Sequence, residues 1–171
     1  MMPDDEKAIT IARRTRKNLD FIYSAKAQGA DVEEVTQLLN SMLGMLICLR
    51  EEYFHGRTVT WDDVRHHNLQ PVSVSAQKRD DDADIWNAYQ PSFSQLITCL
   101  RHAFAHNCFS LVGDTSQPRA NREIVGLDVW NTPTGKKYKT WQAKLTIDDL
   151  KAIAYLFIDY LETTRGHELA A

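Results

Sequence analysis

The sequence predicts a mainly α-helical bundle with one β-hairpin inserted before the last helix. Two patterns carry this expectation. Apolar residues recur at helical spacing through four long stretches, and two runs rich in strand-forming residues flank a single turn. Composition agrees with a chain that buries a real core. Of 171 residues, 43% are hydrophobic and 25% charged, ordinary globular usage that suits one domain over residues 1–171.

The first helix is expected from Asp4 or Asp5 to about Ala27, with Gly29 as its stop. It contains Arg13-Arg14-Thr15-Arg16-Lys17, which reads as a solvated helix face, followed by Leu19, Ile22 and Tyr23 on one side. Asp31, with Glu34 three residues on, suggests a capping box for a second helix running to about Tyr53. Its centre, from Leu38 to Leu49, is apolar on more than one face, so it lies centrally in the bundle or against a partner subunit. Residues 55–90 read as a weakly structured connection. Thr60-Trp61-Asp62-Asp63 opens one short helix there, Pro71 and the run Lys78 to Asp84 read as loop, and Asp84 to Tyr89 as a helical turn. Pro91-Ser92 opens the third long helix, with Phe93, Leu96, Ile97, Leu100 and Phe104 as its core stripe, ending near His106 or Asn107. Ile124–Trp130 and Tyr138–Leu145 form the hairpin (about 123–145) around Asn131-Thr132-Pro133-Thr134-Gly135. Thr146, with Asp149, caps the last helix, whose stripe is Leu150, Ile153, Ala154, Phe157, Ile158 and Leu161.

A formal charge of −3 gives no whole-chain attraction to nucleic acid, so an RNA ligand requires a local patch. The acidic start lacks the layout of a signal peptide, and no apolar stretch approaches the roughly 20 residues that span a bilayer. A cytoplasmic protein without membrane partners is expected. Cys48, Cys99 and Cys108 lack metal-knuckle or Cys-x-x-Cys spacing and read as reduced thiols.

Chemistry concentrates in Leu100-Arg101-His102-Ala103-Phe104-Ala105-His106-Asn107. Arginine matches phosphate in a fork, and imidazoles move protons near neutral pH. On a regular helix Arg101 leaves one flank of the core stripe, while His102 and His106 leave the other. Arg101 and His106 then stand about 140° apart. One helix does not converge them on one atom; two copies across a two-fold axis do, which favours a homodimer. His102 and His106 have the i, i+4 spacing of a zinc pair, but the Glu of His-Glu-x-x-His and companion ligands are missing, so neither metal nor cofactor is expected. Arg65-His66-His67 reads as a solvated turn.

This motif resembles the Arg-x(4–6)-His signature of the HEPN superfamily (higher eukaryotes and prokaryotes nucleotide-binding), in which a polar residue commonly follows the arginine, as His102 does here. The long helices before the motif, the final helix after it and the hairpin between them resemble a plasmid- and defence-associated branch. The resemblance implies a HEPN-like bundle and metal-independent RNA cleavage at a dimer interface, as in a toxin or phage-defence effector with an antitoxin or regulatory protein as partner. By that carry-over His106 is the general acid or base, Arg101 holds the scissile phosphate, and His102 and Asn107 support them or bind substrate. Products would be a cyclic phosphate and a 5′-hydroxyl. Some members only bind RNA, nucleotide or protein, and that non-catalytic module is the alternative.

The hairpin carries a basic excess: Arg119, Arg122, Lys136, Lys137, Lys139 and Lys144 outnumber Glu123 and Asp128. Trp130, Tyr138 and Trp141 among them suit either a nucleic-acid stacking surface or packing onto the bundle, and packing is the favoured reading for the aromatics.

Overall fold

The computed structural model describes residues 4–48, 54, 56–64, 74–80, 84–118, 122–135 and 138–168. Three N-terminal capping signals act as the sequence suggests. At Thr60 and Thr146 the hydroxyl accepts from the backbone N–H of Asp63 and Asp149, and each carboxylate accepts in return from the threonine N–H. Ser92 and Gln95 make the equivalent pair. The helices that follow are α3 (Trp61–Val64), α5 (Ile147–Glu168) and α4 (Phe93–Ala105). The chain begins with α1 (Asp4–Ala27) and α2 (Glu34–Cys48). Helix α2 starts three residues after the anticipated cap Asp31 and is described only to Cys48, so its expected continuation to Tyr53 lies outside the described residues, as do Arg65-His66-His67 and Pro71.

The bundle-with-one-hairpin expectation does not hold. A five-stranded antiparallel sheet is present, ordered β2-β1-β5-β4-β3. Its strands are β1 (Ser75–Asp80), β2 (Ile85–Tyr89), β3 (Phe109–Gly113), β4 (Ile124–Asn131) and β5 (Trp141–Thr146). The expected hairpin is β4–β5, but β5 occupies the middle of the sheet, flanked by β4 and β1. Strand β1 begins in the connection and runs into the segment read as loop, and β2 replaces the supposed helical turn. The reason is physical. Only Ala76 of β1 is buried, and β2 is exposed except at Tyr89, so neither strand shows apolar alternation. Their backbone ladders to each other and to β5 define them instead, through pairs such as Ala76 with Ala143 and Lys78 with Trp141.

The buried sheet residues Ala76, Leu127, Val129, Trp141, Ala143 and Leu145 all project from one face. Helices α4 and α5 cover that face, and α1 and α2 pack behind them. The anticipated stripes of α4 and α5 are buried throughout, and Phe54 joins them to the core against Phe93, Phe157 and Tyr160. Leu38, Met42, Met45 and Leu46 of α2 are fully buried, while Ile47 is exposed. Arg16, from the basic run of α1, is held between Asp159 and Glu162 of α5 and ties the outer layer to the inner one. Gly126 is required where β4 meets β5, because a Cβ there would sit 2.6 Å from the Leu145 carbonyl oxygen.

Candidate active site

The end of α4 is fixed by its own backbone. Asn107 adopts φ +53, the left-handed region that ends helices and that asparagine tolerates better than most residues. Its N–H donates to Phe104 O at 3.2 Å, and the next N–H, of Cys108, donates to Ala103 O at 2.7 Å. This is the Schellman pattern. Gly29 closes α1 in the same way, with Gly29 N–H to Lys26 O at 2.9 Å and Ala30 N–H to Ala25 O at 3.0 Å. Beyond the turn, Trp130 N–H donates to Cys108 O at 3.0 Å, and Phe109 meets Phe104 edge to face. His106 is therefore carried on a terminus anchored to both the core and β4.

Facing this terminus is the inner surface of the sheet, beyond the part that α4 covers. Antiparallel register places Asn131, Trp141 and Lys78 in one row across β4, β5 and β1. Between helix end and row lies a cleft of about 520 Å³, lined by His102 and His106 from one side and by Lys78, Tyr89, Asn131 and Trp141 from the other. Cys99 and Cys108 also line it, with threonine hydroxyls from the β4–β5 turn. No aspartate or glutamate lines the cleft among the described residues. Lys78 Nζ sits 5.7 Å from the centroid of the Tyr89 ring.

Burial shapes the chemistry of this floor. It lifts the Cys99 thiol to about 11, with nearby Lys78 opposing in lesser part, and it also raises the Tyr89 hydroxyl above its ordinary range. Cys99 is thus held as a neutral thiol. Two polar atoms at the floor, Asn131 Oδ1 and Trp141 Nε1, are shut off from solvent with no hydrogen-bond partner. An unmet buried group of this kind costs about 1–3 kcal/mol, and here an acceptor and a donor stand on paired residues.

The histidine pair thus converges, and Arg101 does not join it. Arg101 is half-buried and is not among the residues lining the cleft, as its position about 100° round the helix from His102 requires. Asn107 also stays outside the lining. The meeting of Lys78, Tyr89, Asn131 and Trp141 escaped sequence reasoning because it depends on strand register, although Trp141 by itself reads as a stacking or packing residue. Trp141 is buried at 4% exposure, so it serves packing, whereas Trp130 and Tyr138 are half-buried and carry the cations Lys139 and Arg79 on their rings at 4.1 Å. Arg119, Lys136 and Lys137 lie outside the described residues. Among the described residues, no group of three His, Cys, Asp or Glu side chains is placed to hold a metal ion, and no helix is long and apolar enough to cross a membrane.

The family model for HEPN pEK499 p136 matches residues 2–168. The chain belongs to the HEPN superfamily. No curated protein and no solved structure matches it. In this HEPN chain the Arg-x4-His motif occupies the last turns of α4, and its two ends point to different surroundings.

Proposed function

We propose that this HEPN protein is a metal-independent endoribonuclease acting at a homodimer interface. The observation that carries the reading is the pair of imidazoles, His102 and His106, side by side in a cleft with Lys78 and with no carboxylate among its described lining residues. Cleavage by internal transfer needs two proton movements. One histidine takes the proton of the ribose 2′-hydroxyl as its oxygen bonds to phosphorus; the other delivers a proton to the departing 5′-oxygen as the P–O bond breaks. His106 is central to this exchange and His102 shares it. Arg101 stabilises the charge that develops on the phosphoryl oxygens. Because Arg101 leaves the opposite flank of α4, it acts on the cleft of a second protomer, which makes the dimer part of the active site.

The test is cleavage of single-stranded or looped RNA in EDTA, read as cyclic-phosphate ends. His106→Ala should lose about 10²–10⁴ in rate, and Arg101→Lys should be severely impaired because an ammonium lacks the guanidinium fork. Light scattering should give twice the chain mass at micromolar concentration. A strict monomer, or an undiminished rate in His106→Ala, would overturn the proposal. Arg101's place away from the cleft also favours a second reading, a HEPN-like module that binds RNA, nucleotide or protein without cutting. That reading forecasts no wild-type cleavage and weaker ligand binding in the Arg101 variant. A toxin or phage-defence role further requires that induced wild type, and not His106→Ala, arrest growth of its host.

A further inference from the structure

We infer that Lys78, on β1, is the residue that holds the phosphate of a nucleotide in the His102–His106 cleft. The choice of a nucleotide rests on the ribonuclease reading; the position of the cation rests on the sheet. Lys78 lies two residues along β1 from buried Ala76, on the same inner face, and register fixes it beside Trp141. Strand β1 therefore delivers an ammonium to the surface that the end of α4 overlooks.

The surroundings of Lys78 differ from those of the other well-placed cations. Arg16 is taken up by Asp159 and Glu162, Lys26 by Glu34, and Arg79 by Asp84. Among the described residues Lys78 has no carboxylate partner, and its ammonium approaches the face of Tyr89. A cation and two imidazoles, with no carboxylate among the described lining residues, make a local anion site in a chain of charge −3. The threonines Thr132 and Thr134 add hydroxyl-bearing residues to the lining for phosphate or sugar oxygens. Asn131 and Trp141, in the same row as Lys78, also line the cleft. A cleft of about 520 Å³ falls in the size range of small-ligand sites.

Calorimetric titration of the full chain with uridine 3′-monophosphate and, separately, inorganic phosphate tests the assignment. Wild type should bind one nucleotide per chain. Lys78→Ala should weaken that binding about tenfold or more, the usual scale for losing a charge-assisted contact, while Lys78→Arg restores most of it. Lys144→Ala, on the opposite face of the sheet, should bind like wild type. Equal affinity in wild type and Lys78→Ala, or no nucleotide binding by wild type at millimolar concentration, would overturn the inference. Circular dichroism confirms that each variant is folded, as expected for exposed lysines. RNA cleavage measured in parallel separates the two claims. Binding that depends on Lys78 without any cleavage refutes the nuclease and leaves the subsite. Cleavage with binding indifferent to Lys78 does the reverse.

Discussion

Asn107 shows how a motif residue can also serve the backbone that carries it. The sequence motif puts it beside His106 and suggests a supporting role, yet its φ of +53 and the paired bonds around it make it the stop of α4. Glycine adopts the same backbone freely, whereas a β-branched residue there pays roughly 1–2 kcal/mol. Asn107→Gly should therefore keep both stability and any RNA cleavage, and Asn107→Val should lower the unfolding free energy by about that amount in urea titration. A large loss of cleavage in a fully stable Asn107→Gly would return the side chain to the chemistry. Cys99 offers a second test. Burial raises its thiol from the ordinary 9.0 to about 11, so the folded chain binds that proton more tightly than the unfolded chain. Its contribution to stability is complete below about pH 9 and is lost as pH rises toward 11. Tyr23, lifted to about 12 mainly by burial, acts in the same direction at higher pH. Denaturation midpoints should fall across that window, and Ellman's reagent at neutral pH should modify Cys99 more slowly in the folded chain than after unfolding.

At the scale of the element, what was legible and what was hidden divide along one physical line. The helices are specified within their own windows. Their stripes, the capping pairs at Thr60, Ser92 and Thr146, and the stop at Gly29 are local signals, and each acts as read. Strand β3 escaped notice because its Leu111 and Val112 are both exposed, which breaks the alternation a half-buried strand displays. Strand β1 is seated on β5, far along the chain, β2 pairs only with β1, and four aspartates from Asp80 to Asp84 conceal both. The candidate site divides the same way: His102 and His106 share a flank by helical spacing alone, while Lys78 reaches them only through the pairing of β1 with β5. The caps give a direct measure of the local part. Thr146→Ala removes the acceptor for Asp149 N–H at the start of α5 and should cost about 1 kcal/mol. No change in melting temperature would show that this cap contributes nothing to the long helix behind it.

The whole molecule is layered, with α1 and α2 behind α4 and α5, and the sheet in front. One sheet face is the floor of the core. The other stays open and polar, with Gln142 donating to Gln77 at 2.8 Å and Lys139 resting on Trp130. The cleft exists where the covering layer ends before the sheet does, so the shape of the layers places the candidate chemistry at their common edge. The strand order also governs how the molecule comes into being. During synthesis β1 and β2 leave the ribosome early, yet the strand that seats them, β5, is the last of the five to emerge. Until then they form a lone hairpin, which is marginal in water, with Ala76 uncovered. Nascent chains arrested with β5 still in the exit tunnel, and α5 behind it, should therefore show no protected amides in β1 or β2, with that protection appearing only once Thr146 is released. Early protection of β1 would mean that the hairpin stands on its own. Otherwise the growing polypeptide carries an unfinished sheet from Tyr89 until Thr146 is made, and chaperones that hold exposed strands should find this protein a client.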